Sequence, residues 1–200
     1  MALKAVQFVK ALATGSTKPF IVEGEDGELY VVKGGVKFVD TTVQVCEWLA
    51  YRLGCLLQLP IAPGIIIEIP EQLIDRVPEM QANRIVGGLY YGSRYLYPTL
   101  KISLNEKFIS QCKNRAEGAA MILFDHWICN FDRTSNFENL IITKNGDLHF
   151  HMIDHNGAFY GGWWFDEVYP ISPQTFWGKI YQSFVPYIDK TDPFAEIIQH

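Results

Sequence analysis

The sequence predicts an α+β fold in two parts, the first rich in strands and the second in helices. Three observations lead there. Asp26-Gly27 stands between two β-rich runs, a strong hairpin signal. Residues 41–57 repeat apolar side chains with helical period. Residues 105–129 are helical in pattern again, and a second hairpin follows around Lys144-Asn145-Gly146-Asp147. A hydrophobic fraction of 48% against 20% charged residues supplies a core and excludes disorder.

The elements follow in order. Residues 4–13 read as a strand, and TGSTKP after them as a turn. Residues 20–23 and 28–33 are the two arms of the first hairpin, joined at Glu25-Asp26-Gly27. The helix at 41–57 takes Thr41 or Thr42 as its N-cap. Its apolar stripe of Val45, Leu49, Leu53 and Leu56 faces the sheet, and Pro60 and Pro63 end it. Residues 61–70 form a β-branched strand closed by Pro70. Within residues 71–98, the stretch RIVGGLYYGSRYLYP (84–98) sets aromatics between glycines and suggests a strand leading into a linker. The helical stretch at 105–129 carries a break near Asn114. Tyr97-Pro98 marks a boundary between the two parts.

Charge and cysteine usage narrow the class. The net charge of −5 and the lack of a long basic run argue against a duplex nucleic-acid groove as the main partner. Lys4 and Lys10 interrupt the apolar N-terminus, and no apolar run reaches spanning length. Cysteines 46, 55, 112 and 129 include no CxxC pair. They read as free thiols, three of them buried, in a reducing compartment. Together these features predict a soluble cytoplasmic protein with no membrane attachment.

The chemistry concentrates between Trp127 and Phe159. Residues 139–143 and 148–153 are the two strands of the second hairpin. Asp132 lies in the loop before the first strand, and Asp154 directly follows the second. Antiparallel pairing therefore brings Asp154 toward Asn139 and the Asp132 loop. Two carboxylates and an amide are hard oxygen ligands suited to Mg²⁺, and one carboxylate can instead orient or deprotonate a hydroxyl. His149, His151 and His155 form an HxHxxxH pattern, but no Cys or acidic residue is spaced to complete a tetrahedral site. They read as polar residues on the wetter hairpin face. Gly161-Gly162-Trp163-Trp164-Phe165 reads as core packing under the loop, with docking as the alternative.

The order D-R-T-x-x-x-x-N, a hairpin, then I-D-H-N-G-A-F resembles the active-site half of HipA-like kinases, a branch of the protein-kinase-like fold. Asn130-Phe131-Asp132-Arg133 is its most specific piece. The resemblance covers roughly residues 12–160. It implies a small bilobal fold, with a nucleotide-binding sheet and helix in residues 1–98 and the catalytic loop and metal site in a helical lobe at 99–200. At 200 residues the second lobe is expected to be trimmed.

The resemblance also implies roles. Asp132 matches the catalytic Asp, Asn139 the metal-binding Asn and Asp154 the metal-binding Asp. In ordinary protein kinases the Asn comes five residues after the Asp. Here Asn136 lies at four and Asn139 at seven, and Asn139 fits better because it directly precedes the apolar strand. Lys33, ending YVVK, matches the strand lysine that holds ATP phosphates, with Lys37 in competition. Glu47, to one side of the helix stripe, matches the glutamate that holds that lysine. Ser16 and Thr17 occupy the position of the phosphate-covering loop, without its GxGxxG pattern. Tyr90, Tyr91, Tyr95 and Tyr97 include candidates for an adenine pocket. His155-Asn156-Gly157 replaces the Phe-Gly of ordinary protein kinases, so their Phe-based switch does not carry over.

ATP and Mg²⁺ are the implied cofactors. The implied acceptor bears a hydroxyl and is a protein in preference to a small molecule, and an antitoxin-like protein is an implied partner. The alternative is a nucleotide-binding pseudokinase that serves as a scaffold.

Overall fold

The computed structural model describes residues 2–12, 17–34, 39–97, 99–100, 110–130, 133 and 139–159. The chain divides into two compact units, Met1–Tyr51 with Ala62–Leu96 and Arg52–Ile61 with Tyr97–His200. The described residues are a mixture of strands and helices. Among them, no helix is long and apolar enough to cross a membrane.

The first unit is built on a closed five-stranded barrel, where the sequence suggested a sheet. Its strands are β1 (Leu3–Ala11), β2 (Phe20–Gly24), β3 (Leu29–Val32), β4 (Gly64–Ile69) and β5 (Gly88–Arg94), in the order β1-β2-β3-β5-β4. Neighbours run antiparallel except at the seam, where β1 and β4 pair in parallel through Leu3↔Ile67 and Lys4↔Glu68. Two register shifts along β1, between Ala5 and Gln7 and between Phe8 and Lys10, bend the strand. Curvature of this kind is what closure requires.

Alternation fills the interior. Phe20 and Val22, Tyr30 and Val32, and Ile67 and Ile69 supply every second side chain of β2, β3 and β4 to the core. Each such side chain contributes about 1.5–3 kcal/mol of hydrophobic stabilisation. The β2–β3 turn is fastened by its own residues. Gly27 has φ +78°, and the Asp26 carboxylate accepts from the Glu28 N–H at 3.1 Å and the Tyr30 hydroxyl at 2.7 Å.

The strand read within residues 84–98 is β5, and two short helices that the sequence did not show come before it. They are α2 (Glu71–Arg76) and α3 (Pro78–Ala82). Each spans little more than one turn, too short for a helical period to register. With the residues after them they add Ile74, Met80 and Ile85 to the core.

The long helix α1 (Val39–Leu56) begins before Thr41 and Thr42, so neither is its N-cap. Its orientation also differs from the predicted one. Val45, Leu49 and Leu56 are 56%, 41% and 75% exposed, while Val43, Cys46, Glu47 and Ala50 are buried. Two features outweigh the apolar count. Glu47 finds a cation on the inner side, and small residues permit close approach there. A Cβ at Gly54 would stand 3.2 Å from the Ile61 side chain.

All four cysteines are free. Cys46 and Cys112 are buried, Cys129 is half-buried and Cys55 is exposed, so two thiols are buried and not three.

In the second unit, β6 (Thr99–Leu100), β7 (Leu140–Asn145) and β8 (Asp147–Met152) form a sheet in that order. The β7–β8 register runs from Leu140↔Met152 to Asn145↔Asp147, with Gly146 at φ +74° making the turn. A 3₁₀ turn at Arg115–Glu117 leads into α4 (Gly118–Trp127). Residues 105–109 of the predicted helix lie outside the described residues, and 110–114 are turns and a bridge.

Asn114, the predicted break, has a different task. Its carboxamide donates to the Phe150 carbonyl at 2.9 Å and accepts from the Phe150 N–H at 3.1 Å. It thereby supplies a rung to the outer edge of β8, where Cys112 forms a bridge with Leu148.

Asn114→Ala removes two hydrogen bonds, each worth about 0.5–1.5 kcal/mol. We expect a matching loss of stability in urea unfolding, and faster hydrogen exchange at the Phe150 amide.

Candidate functional site

The two units each carry one group of candidate residues. In the first, Lys33 stands just beyond β3, and its ammonium forms an ion pair with the Glu47 carboxylate of α1. Glu47 is only 4% exposed. A carboxylate so placed is costly unless paired, so the bridge accounts for the helix turning this residue inward. Gln44, one turn earlier, donates to the Lys33 carbonyl oxygen.

The other candidates of this unit are less tied to that pair. Thr17 lies in the β1–β2 loop, whose base is closed by a 2.8 Å bond from the Leu12 N–H to the Pro19 carbonyl. Ser16 and Lys37 lie outside the described residues. Tyr90 and Tyr91 are buried on β5; Tyr97, which is exposed, belongs to the second unit.

The second group is organised by Arg133, 1% exposed. Its guanidinium donates in four directions. Nε bonds Asp125 of α4 at 2.7 Å. One terminal nitrogen donates both to the Asn139 carbonyl and to the Ile153 carbonyl, the latter at 2.7 Å. The other lies 2.8 Å from His155 Nε2. Arginine has no acceptor, so His155 Nε2 accepts and its proton resides on Nδ1. Asp125 is shared: its second oxygen accepts from the Asn130 amide at 3.0 Å.

This network fixes the open end of the β7–β8 hairpin. Asn139 stands opposite Ile153, whose N–H donates to the Asn139 carbonyl at 3.1 Å. Asp154 is the next residue and adopts φ +58°. A left-handed backbone is uncommon for a non-glycine residue, although Asp tolerates it better than most. It turns the chain out of the strand at the carboxylate, while the carbonyl before it and the imidazole after it are both held by Arg133. Asp132 and Asn136 lie outside the described residues, as do residues 161–165.

The histidines divide by role. His149 and His151 alternate on β8, and His151 Nε2 lies 2.9 Å from the Thr143 hydroxyl. His155 instead joins Arg133 and meets the Phe124 ring edge-on. No group of three His, Cys, Asp or Glu side chains among the described residues could hold a metal ion.

Sequence reasoning valued Arg133 only as part of a motif and missed Asp125, Gln44 and the role of His155. A signal for Asp125 was present: it is the one carboxylate in the apolar run GAAMILFDHW.

Two expectations follow. Arg133→Met strands the buried Asp125 charge and should cost about 3–5 kcal/mol in chemical unfolding, part of which the added Asp125→Leu change should restore. Burial, and secondarily the charge of His149, lower the His151 pKa from 6.5. The unfolded chain then binds more protons there, so this contribution is present above 6.5 and falls away as pH drops below it. His151→Gln should flatten that part of the stability–pH curve in thermal melts.

A model of the HipA-like kinase family matches residues 5–167, a span that includes Lys33, Glu47, Arg133, Asn139 and Asp154. No curated protein matches the sequence. With well over half of its length inside that match, the chain belongs to the HipA-like kinase family.

Proposed function

We propose that the chain is an ATP- and Mg²⁺-dependent phosphotransferase of bilobal, kinase-like architecture. It would transfer the γ-phosphate to a hydroxyl, on a protein in preference to a small molecule, in the cytoplasm. The observation that carries this reading is the Lys33–Glu47 pair. A surface lysine and a solvated glutamate would have been the plain alternative, yet the carboxylate is buried and holds the ammonium in a member of a kinase family.

The donor set suits the cofactors. Asn139 and Asp154 offer an amide and a carboxylate oxygen, hard ligands of the kind Mg²⁺ takes alongside phosphates. When bound, Mg²⁺ supplies charge neutralisation at the phosphate oxygens. Lys33 holds the ATP phosphates, and Glu47 keeps its ammonium in place. Ser16 and Thr17 offer hydroxyls and backbone N–H groups to phosphate oxygens. Asp132 orients the acceptor hydroxyl and takes its proton. Arg133 holds the backbone on either side of the hairpin's open end, so the metal ligands start from a fixed frame. Catalysis of this type rests on positioning and charge. An antitoxin-like protein is the partner this reading favours.

The unusual spacing from Asp132 to Asn136 and Asn139 favours a second reading, a nucleotide-binding scaffold without turnover.

Thermal unfolding with ATP, with and without Mg²⁺, tests the site. At about 100 times its dissociation constant a ligand adds roughly 2.7 kcal/mol. We expect a Mg²⁺-dependent rise in the wild type that Asp154→Asn abolishes; an equal rise in both would overturn the metal assignment. Asp132→Asn should keep ATP binding but lose about 10²-fold or more in phosphoryl transfer. Binding with no transfer by the wild type, offered protein acceptors, would favour the scaffold.

A further inference from the structure

The β3–β5 ladder stops one residue short of Lys33. Its rungs are Tyr30↔Arg94, Val31↔Ser93 and Val32↔Gly92, so the next would set Lys33 opposite Tyr91. A side chain from α1 takes that place. The Gln44 carboxamide donates to the Lys33 carbonyl and accepts from the Tyr91 N–H, the latter at 2.6 Å. One partner only accepts and the other only donates, so the orientation of the amide is fixed by chemistry. A carboxamide carries the same donor and acceptor as a peptide group, and here it continues the ladder while β3 leaves β5.

The opposite edge of β5 is unaffected. Tyr91 still pairs with Ile66 of β4. Its ring packs against Trp48 and Tyr51 at 6.3 and 5.8 Å, on the turns of α1 that follow Gln44. Gln44 and Glu47 are three residues apart and therefore share a helix face. One turn of α1 thus grips Lys33 twice, at the carbonyl through Gln44 and at the ammonium through Glu47.

We infer that Gln44 is a positioning residue for Lys33: its amide fixes where the lysine backbone leaves the barrel, so that the ammonium's grip on nucleotide phosphates depends on the seating of α1. This rests on the reading of Lys33 as a phosphate ligand. Glu47 alone would tether a flexible side chain. With the backbone also held, the ammonium is pre-organised, and less ordering remains for binding.

The test is the Mg²⁺-ATP dissociation constant, measured by calorimetry on the full chain well below its melting temperature. The variants are Lys33→Met, Gln44→Leu, and Ile67→Val as a barrel-destabilising control that touches none of the lysine's polar contacts. Lys33→Met should weaken binding about tenfold or more, Gln44→Leu about fivefold, the equivalent of one hydrogen bond, and Ile67→Val not at all. Unchanged binding in Lys33→Met would overturn the phosphate role and this inference with it. Loss in Lys33→Met with wild-type affinity in Gln44→Leu would overturn the inference alone. Equal weakening in Ile67→Val and Gln44→Leu would reduce Gln44 to a structural part and likewise overturn it. Should Gln44→Leu not fold, Gln44→Glu retains the acceptor for Tyr91, loses the donor to Lys33, and is judged by the same outcomes.

Discussion

The buried guanidinium of Arg133 is the constraint on which the candidate site in the second unit depends. A fixed positive charge removed from water must be met on every side. One carboxylate, two backbone carbonyls and one imidazole meet it, and they come from α4, from both sides of the hairpin's open end, and from the residue beyond Asp154. A lysine could not serve in this way, because its ammonium lacks the flat fork that reaches several acceptors in different directions. The same logic appears at smaller scale in the first unit, where a buried carboxylate on α1 is tolerated because it holds Lys33. In each unit an ion pair joins a helix to the end of a strand, and the candidate functional residues are at or beside that joint.

A second device recurs. Asn114 and Gln44 each present a side-chain amide to a strand as though it were another peptide. At β8 the amide covers an outer edge. At β3 it allows a strand to depart without leaving the Tyr91 N–H unmet. Backbone groups inside a protein need partners, and a carboxamide provides both polarities from one residue. The chain thereby changes direction near its chemistry without a gap in the hydrogen bonding.

What could be read beforehand was local. Asp26-Gly27 and Gly146 announced their hairpins because the turn geometry is set by a few adjacent residues, and the strands beside them alternate. The order of Lys33, Glu47, Asn139 and Asp154 along the chain was equally plain. Non-local arrangements were not. The β1–β4 seam joins residues more than sixty positions apart through only two rungs, and nothing near Leu3 or Ile67 marks it. The inner face of α1 was misjudged because apolar counting cannot see Lys33 waiting for Glu47, nor the close approach that Gly54 permits to Ile61. Asp125 and Arg133 are eight residues apart, yet their bond becomes meaningful only once the hairpin has brought Asn139 and Ile153 to the same spot.

His155 gives the site a character of its own. An apolar ring at this position would be held by packing alone. Here the corresponding side chain is buried and bonded to the guanidinium that also secures the strand. Prising it out would forfeit a charge-assisted hydrogen bond and disturb the whole joint. The chain is therefore clasped on both sides of Asp154, and a hinge at this turn would have to break the joint before it moved.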